Sequence, residues 1–468
     1  MKICFCARPN YDKLSSKLYL SIKTNFNSNL EATFITNDKL ETKYIEDHIN
    51  NAEVYEIASF FEKNWDEFTH DKLHFFEQEY NCSPIWKYIY TDRFLINYDY
   101  DYCVKTTVGL FMFFKQIFSS GGIDYYYDET IATLQSYIAY IVGKKHGVDY
   151  ISQMTARGKD STHHYFLNDP YEYNMNFNNE YKQLNYDENI VDIASEFLER
   201  FEETNFKPAN MVFTGKRPSF KLNYFLLIGL WVKNRTNPKF NNKYSYMYYK
   251  GYKSILNPLL FYFRYKISQN LYQKPDYSKK YVYFPLHYQP EASTLVCAQK
   301  YEKQIFYIDS WAKSLPADTM LYIKEHYALL GHRELGFYKQ LKKYPNVVLI
   351  DPWEDTFKLI KNSVAVTTLT GTAGWEAMLL RKPVFLGGNI FFDNAPGIIK
   401  VDDIFDNFLS KLEEWIQPTR EEIIHYLCEY FSTIYEGQVY AASPNCYDEE
   451  NIYKVAKSLI DQIERSEE

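Results

Sequence analysis

The sequence predicts an α/β fold with two doubly wound parallel sheets, and three observations support this prediction. Strand-like and helix-like segments alternate near the N-terminus, and the same alternation restarts near residue 281. A chain of 468 residues is long enough for two or three domains. Its hydrophobic content of 46% is ordinary for a protein that buries proper cores. We therefore expect two separate α/β domains, at 1–232 and 281–430, and not a disordered chain.

The first half opens with a strand, a helix and a second strand. Lys2–Cys6 is strand-like, a helix with apolar residues three or four positions apart follows, and 32–36 is rich in strand-forming residues. A buried strand is predicted at 123–127, followed by a helix that ends in basic residues and Gly147. A new strand follows at 148–151. Two such units predict a parallel sheet.

The second half repeats this pattern and the chain closes with a helix. Strands are predicted at five places: 281–286, 321–325, 347–350, 364–367 and 383–387. The apolar spacing over Glu449–Ile463 predicts one closing helix. We expect residues 431–468 to form a helical tail that packs back on the N-terminal domain.

The segment between the halves has an unusual charge. Residues 233–280 contain eleven Lys or Arg and a single acidic residue, Asp276, together with many aromatic residues. Two interpretations stay open. The segment is either a pair of linker helices with a solvated basic side, or a surface that contacts anionic lipid at the inner face of the cytoplasmic membrane.

Composition excludes several classes of protein. A net charge of −8 argues against a surface that neutralises nucleic acid. Seven cysteines occur without a CxxC pair, which favours reduced thiols in a cytoplasmic protein. Cys4 and Cys6 would lie on one face of a strand, as two small core residues and not as a metal site. No run of 18 uncharged apolar residues predicts a membrane span.

A glycine-rich turn joins a predicted strand to a predicted helix in the second half. Small residues at Thr370, Gly371, Thr372 and Gly374 would let backbone N–H groups approach a phosphate, and the helix N-terminus favours its charge. Glu376, in the first turns of the helix, could accept hydrogen bonds from a ribose. Glycine is used structurally in such turns about as often, so both interpretations stay open.

Two further polar loops follow strands of the same predicted sheet. His287, Gln289, Glu291, Ser293 and Thr294 cluster after the first strand, although Ser293 or Thr294 could simply cap a helix. Ligands of open parallel sheets bind at the carboxyl ends of the strands.

The next strand of that sheet ends in basic residues. Lys324 and His326 lie at its end, and Gly331, His332 and Arg333 come shortly after. A pair of cations at this edge could hold a phosphate or neutralise a departing nucleotide, with an imidazole acting as a hydrogen-bond donor or as a charged group.

Four segments carry a resemblance to a known family. FPLHYQPEAST, LYIKEH, PNVVLIDP and TTLTGTAGWEAMLLRKPVFLGG, in this order, resemble the C-terminal half of capsular-polysaccharide synthesis proteins, which include the bacterial β-Kdo transferases. The resemblance covers about 281–390 and is only architectural before that. Tyr327 stands where the family has proline after Lys-Glu-His.

The resemblance implies a GT-B-like fold, with two Rossmann-type domains facing a cleft. It implies a nucleotide-sugar site in the C-terminal domain, often for a CMP-linked acidic sugar such as Kdo, with His326 and the loop at 370–374 contacting the nucleotide. The nucleotide sugar would be a co-substrate, so no cofactor is expected. No Asp-x-Asp motif follows a strand, so a metal-independent reaction is predicted.

The same resemblance implies that the N-terminal domain binds a glycan or glycolipid acceptor and supplies a catalytic carboxylate. Asp128 and Glu129 are the candidates, at the end of the strand 123–127, although acids there could merely complement a helix N-terminus. Arg8, after the first strand, is a candidate for orienting an acidic group, or is an exposed loop arginine.

The sequence thus predicts a glycosyltransferase that acts on a surface polysaccharide. Two alternatives remain, a non-hydrolysing nucleotide-sugar epimerase and a non-catalytic partner in capsule assembly or export.

Overall fold

The computed structural model describes residues 1–157, 162–204, 242–247, 253–401, 408–441 and 443–467. The strands, in chain order, are β1 (Lys2–Ala7), β2 (Glu31–Thr36), β3 (Glu53–Glu56), β4 (Tyr125–Asp128), β5 (Asp149–Thr155), β6 (His163–Leu167), β7 (Lys280–Pro285), β8 (Thr319–Lys324), β9 (Val347–Ile350), β10 (Ala365–Thr368), β11 (Val384–Leu386), β12 (Ile398–Lys400) and β13 (Tyr435–Glu436). The helices are α1 (Asp12–Asn25), α2 (Lys39–His48), α3 (Ile57–Asn64), α4 (His70–Glu79), α5 (Trp86–Ile89), α6 (Tyr100–Ser119), α7 (Leu134–His146), α8 (Glu188–Thr204), α9 (Lys253–Ser268), α10 (Ala292–Leu295), α11 (Gln304–Ser314), α12 (Leu335–Leu341), α13 (Thr356–Asn362), α14 (Thr372–Leu379), α15 (Phe408–Glu414), α16 (Arg420–Ser432) and α17 (Glu449–Glu467).

The chain divides into two compact units, each built on its own sheet. The first unit comprises Met1–Asn176, Asn237–Tyr249 and Thr433–Glu468, and the second comprises Phe177–Thr236 and Lys250–Ser432. Helix α8 therefore belongs to the second unit, where it packs on α16, although it lies within the first 232 residues. The C-terminal tail belongs to the first unit.

The sheet of the first unit has the order β13-β6-β5-β4-β1-β2-β3. The five strands from β3 to β5 are parallel, while β6 and β13 pair antiparallel at the edge. Short parallel strands need crossover helices, and the apolar helix pattern predicted between them is present. Helix α7 ends at Gly147, which has a φ of 73° in the left-handed region, as the Lys-Lys-His-Gly signal predicts.

The core of the first unit lies on both faces of the sheet, because side chains alternate along β1. Cys4 and Cys6 face one cluster with residues of α6 and α7, while Ile3 and Phe5 face another with residues of α1 and α17. All seven cysteines are buried, and none is paired in a disulfide. Helix α17 extends over the predicted closing segment and packs against α1.

The sheet of the second unit has the order β9-β8-β7-β10-β11-β12, and every neighbouring pair is parallel. Counted from β7, this is the order 3-2-1-4-5-6 of dinucleotide-binding folds. Val282 and Phe284 alternate onto the face that packs against Trp311 of α11. The prediction of two α/β domains with parallel sheets is confirmed by these two units.

Part of the basic segment between the halves lies outside the described residues. Of 233–280, residues 233–241 and 248–252 are not described, so the predicted lipid contact stays a prediction. Among the helices that are described, none is both long and apolar enough to cross a membrane.

Candidate functional site

Two strands at the centre of the second sheet define where a ligand is expected. The chain leaves β7 towards β8 on one side and leaves β10 towards β11 on the other, so the order reverses between β7 and β10. The loops that follow these two strands therefore part above the carboxyl edge, which leaves a crevice between them. The predicted donor-binding residues at 287–294 and 370–376 follow these two strands.

His287 links the two central loops through its imidazole. The Nε2 atom lies 3.0 Å from Thr368 Oγ1, and the backbone N–H of Thr370 donates to the same nitrogen at 3.2 Å. Because Nε2 accepts this bond, the neutral imidazole carries its proton on Nδ1. Thr368 Oγ1 in turn accepts from the backbone N–H of Gly371 at 3.0 Å. The conformation of the glycine-rich turn is thus fixed from the β7 side.

Further bonds hold the loop after β7 in place. Buried Gln304 accepts from the backbone N–H of His287 at 2.9 Å, and the Thr370 hydroxyl donates to the carbonyl of Ser293 at 2.8 Å. The Gln289 amide donates to the carbonyl of Glu302 at 2.5 Å. The structure therefore brings His287 and Ser293 to the glycine-rich turn, whereas Gln289 bonds within its own loop and to Glu302.

The prediction that Ser293 or Thr294 caps a helix is wrong. Glu291 is the N-cap residue of α10, and no side chain caps the helix. The hydroxyl of Ser293 donates to the Glu291 carboxylate at 3.0 Å, and the hydroxyl of Thr294 donates to the Glu291 carbonyl at 3.2 Å. Both residues lie within the short helix, and not before it.

Two glycines of the turn are required by close packing. A Cβ atom on Gly371 would lie 2.8 Å from Thr368 Oγ1 and 3.1 Å from His287 Nε2. A Cβ atom on Gly374 would lie 2.8 Å from Thr368 Cγ2. Gly371 is the N-cap residue of α14, and Thr372 begins the helix. The turn therefore leads straight from β10 into a helix N-terminus, as the sequence predicts.

Lys324, at the end of β8, is oriented towards the neighbouring loop. Its ammonium donates to the carbonyl of Glu354 and to the hydroxyl of Thr356, each at 2.6 Å, and the residue is buried. These bonds connect β8 to the start of α13. Lys324 thus has an observed structural role in addition to the donor-binding role that the sequence predicts.

Arg333 ties the loops after β7 and β8 together. Its guanidinium donates to the Glu325 carboxylate at 2.9 Å, to the carbonyl of His287 at 2.6 Å and to Gln289 Oε1 at 3.3 Å. The Tyr338 hydroxyl also donates to Glu325, whose side chain is fully buried. The sequence singles out Arg333 only as a cation, because nothing local shows that the chain turns back after Gly331.

His326 is neutral in this environment. Burial, together with the positive charges of Arg333 and Lys324, lowers the pKa of His326 to about 4. The backbone N–H of Ala328 donates to Nδ1 at 3.3 Å, which leaves the proton on Nε2. Of the two forms predicted from the sequence, the structure favours the neutral hydrogen-bond donor.

Glu376 lies buried in α14, one turn beyond the glycine-rich turn. Burial raises the pKa of Tyr327, and the negative charge of Glu376 adds to this rise. The carboxylate therefore lies within electrostatic reach of the loop after β8. The three loops that carry the predicted donor-binding residues, after β7, β8 and β10, lie at one edge of one sheet.

The first unit has a corresponding position between β1 and β4, where its strand order also reverses. Arg8 follows β1 and is buried, so the alternative of an exposed loop arginine is wrong. Its Nε atom lies 3.2 Å from Asp128 Oδ1, and its Nη2 atom pairs with Glu129. Burial raises the pKa of Asp128, and the charge of Arg8 opposes the rise.

The two carboxylates do not begin a helix. Asp128 is the last residue of β4, and α7 begins only at Leu134 with Thr133 as its N-cap residue. The interpretation of Asp128 and Glu129 as acids of a first helical turn is therefore wrong. Asp128 accepts from the Ser136 hydroxyl at 2.8 Å, and Glu129 accepts from the Tyr11 hydroxyl at 2.5 Å.

A pocket opens beside this ion pair at the carboxyl edge of the first sheet. Its lining includes Tyr11, Asp128, Glu129, Gln153 and Tyr440. The Asp128 side chain is 1% exposed and that of Glu129 is 30% exposed. Of the two predicted catalytic carboxylates, Glu129 is therefore the one that an incoming molecule could contact.

Over the described residues, no group of three or more His, Cys, Asp or Glu side chains is arranged to hold a metal ion.

The fold and these sites define a two-unit α/β protein in which each sheet presents polar residues at its carboxyl edge. Residues 247–413 match the family model described as capsule polysaccharide biosynthesis protein. This match confirms the family resemblance for that part of the chain, which includes the loops after β7, β8, β9 and β10.

Solved structures that are similar to this chain include transferases and epimerases. The β-Kdo 2,4-transferase KpsC of Thermosulfurimonas dismutans is 12% identical, over 72% of this chain and 86% of that one, with a TM-score of 0.37. The β-Kdo 2,7-transferase KpsC of the same organism is 10% identical, over 75% and 89%, with a TM-score of 0.34. The UDP-GlcNAc 2-epimerase of Methanocaldococcus jannaschii is 12% identical, over 91% and 98%, with a TM-score of 0.29. No curated protein sequence matches the chain.

Proposed function

We propose that this chain is a glycosyltransferase of capsule or other surface-polysaccharide synthesis, which moves a sugar from a nucleotide-sugar donor to a glycan or glycolipid acceptor. The observation that carries the proposal is the convergence of the loops at 287, 326 and 370 on one sheet edge, within the stretch that matches the capsule family. Such an edge is where parallel α/β sheets bind nucleotides.

The charged end of the donor would bind at the start of α14. The first backbone N–H groups of a helix have no intrahelical acceptor, and the helix dipole favours an anion there. The low pKa of His326 keeps its imidazole neutral. The Nε2–H group would therefore donate a hydrogen bond to a phosphate oxygen. This stabilises charge on the departing nucleotide as the bond to the sugar breaks.

The acceptor would bind in the pocket of the first unit. Glu129 is the better candidate for activating an acceptor hydroxyl, because Asp128 is almost fully buried against Arg8. We further propose that the donor is a CMP-linked acidic sugar such as Kdo, that the transfer needs no metal ion, and that the protein works at the inner face of the cytoplasmic membrane.

Nucleotide binding is the first test of this function. A panel of CMP, UMP and UDP is added to the protein, and the melting temperature is measured. A ligand at 100 times its dissociation constant stabilises the folded state by about 2.7 kcal/mol. We expect CMP to raise the melting temperature most. A response to UDP alone would exclude the CMP-linked donor, and no response to any nucleotide would favour a non-catalytic assembly partner.

Turnover separates a transferase from an epimerase. The protein is incubated with the donor, with and without a glycan acceptor and with EDTA, and the sugar products are separated by chromatography. We expect a new glycoside only when the acceptor is present, and no loss with EDTA. A sugar altered at one carbon in the absence of an acceptor would instead identify an epimerase.

A further inference from the structure

A row of aromatic rings lies along the carboxyl edge of the second sheet, beside the proposed phosphate position. The rings of His326 and Tyr327 are near-parallel, with centroids 5.0 Å apart and planes inclined at 24°. Those of Tyr327 and Trp353 are inclined at 18°, with centroids 6.0 Å apart. Tyr288 meets His326 edge-on at 5.9 Å. We call Tyr288, His326, Tyr327 and Trp353 the aromatic row.

Three consecutive strands contribute to the aromatic row. Tyr288 follows β7, His326 and Tyr327 follow β8, and Trp353 follows β9. Rings at the carboxyl ends of neighbouring parallel strands meet along one edge of the sheet, since the strands are about 4.8 Å apart. The row therefore extends away from β10, the strand whose loop leads through the glycine-rich turn into α14.

The two ends of the aromatic row remain open to solvent. Tyr288 is 38% exposed and Trp353 is 37% exposed, although large aromatic side chains stabilise a fold mainly through burial. The backbone of Trp353 is held independently of its ring, because its N–H donates to the Asp351 carboxylate at 2.9 Å. The loop thus presents the partly exposed indole of Trp353 at the edge of the sheet.

The spacing of this surface suits a nucleotide. In the order β9-β8-β7-β10, the loop after β8 is two strand spacings from the loop after β10, which is about 10 Å. A phosphate bound at α14 would place the nucleoside over β7 and β8. A base has a flat π-face, and stacking on aromatic rings is how proteins bind such faces without reading hydrogen bonds.

We infer that the aromatic row binds the base of the donor nucleotide, with the base stacked on the surface formed by Tyr327 and Trp353. This inference rests on the proposed function and names the part of the site that recognises the nucleoside. The polar edge of the base would remain available to the surrounding loop residues, and the phosphate of the nucleotide would lie towards Thr372.

The test compares a ligand that has a base with one that lacks it. Binding of CMP and of ribose 5-phosphate is measured by calorimetry for the natural protein and for Trp353→Ala, Trp353→Leu and Trp353→Phe. Loss of one stacking ring weakens binding by about 5-fold to 150-fold. We expect that loss for CMP in the Ala and Leu variants, a near-natural CMP affinity in the Phe variant, and unchanged binding of ribose 5-phosphate in all three.

Phe306→Ala provides the matched control, because Phe306 is an exposed aromatic residue of α11 in the same unit, at 62% exposure. It should leave both affinities unchanged. If Trp353→Ala binds CMP as the natural protein does, the stacking inference is wrong and the proposed function stands. If that variant loses CMP and ribose 5-phosphate equally, the ring acts on the loop and not on a base, which also overturns the inference. If the natural protein binds no nucleotide, both the inference and the proposed function fail.

Discussion

The two sheets reverse their strand order at the same point of their topology, yet the polar groups at these two points differ in kind. In the first unit, the reversal between β1 and β4 holds a buried ion pair of Arg8 with Asp128, and Glu129 joins it. In the second unit, the reversal between β7 and β10 holds the neutral hydrogen bonds of His287 with Thr368 and Thr370.

In the proposed function, this difference lets one topology bind two different ligands. Arg8 and Asp128 largely neutralise each other, so an incoming molecule meets the partly exposed Glu129. In the second unit, the side chains hold the loops in place. An anion would instead contact the backbone N–H groups at the start of α14. Under the proposed function, the first edge would bind a neutral hydroxyl acceptor, and the second would bind a phosphate.

The largest effect is expected from removing the cation of the first unit. Arg8→Ala would leave Asp128 buried with an uncompensated charge, which costs about 3–5 kcal/mol of unfolding free energy. Urea denaturation measures the loss. The double variant with Asp128→Asn should recover part of it, because the buried charge is then absent. A loss below about 1 kcal/mol would mean that the ion pair does not hold this edge together.

A smaller loss is expected from the arginine of the second unit. Arg333→Ala removes the guanidinium from Glu325 and from the loop at 287–289, and should cost about 3 kcal/mol, because the Tyr338 hydroxyl still donates to Glu325. Nucleotide affinity should fall as well, since the loop loses its tether. Arg264→Ala is the control, because Arg264 binds the carbonyl of His332 near the surface. Equal effects of the two variants would contradict the tethering role.

Acid should destabilise the first unit through His164. Burial lowers the pKa of His164 to about 4, below its ordinary 6.5, so the unfolded chain takes up a proton that the folded chain excludes. The contribution of His164 to the free energy of unfolding is therefore fully present above pH 6.5. It falls by about 1.4 kcal/mol per pH unit towards pH 4. Urea midpoints from pH 7 to pH 5 measure this slope.

His164→Asn is the matching variant for the acid slope. An amide keeps a donor for the carbonyl of Gly437, which His164 Nδ1 contacts at 2.8 Å, but it takes up no proton. The variant should be less stable at pH 7 and should lose stability less steeply below pH 6.5. An unchanged slope would assign the acid sensitivity to other groups.

The smallest effect is expected at the glycine-rich turn. Gly371→Ala would press a methyl group against Thr368 and His287, and should cost about 1 kcal/mol and weaken nucleotide binding. Gly336→Ala is the control, because a Cβ atom there meets nothing within 4 Å and alanine favours the helix. It should be neutral or slightly stabilising. Equal stability of both variants would show that the turn tolerates a side chain.

Much of the fold could be predicted because strands and helices leave local patterns. The central strands of both sheets, the end of α7 at Gly147 and the turn from β10 into α14 follow from periodicity and glycine position. The position of α8 could not be predicted in this way. Its amphipathic pattern shows that one face is buried, but it does not show which element covers that face. Its partner, α16, lies more than 200 residues further along the chain.

The site could be predicted in position and less well in its contacts. Strand ends place His287, His326 and Thr370 at one sheet edge, and the sequence predicts this. The bonds of Arg8 with Asp128 and of Arg333 with His287 join segments whose adjacency depends on strand order and loop path. Lys324 was predicted to face a phosphate, but the loop after β9 supplies its observed partners.

Backbone hydrogen exchange, with and without the nucleotide that most raises the melting temperature, tests most directly whether the second sheet edge binds nucleotide. We predict slower exchange in the loops at 287–294, 326–333, 351–356 and 370–376 when the nucleotide is bound, and unchanged exchange around Arg8 and Asp128. Protection confined to the first unit, or protection of none of these four loops, would contradict a nucleotide site at this edge.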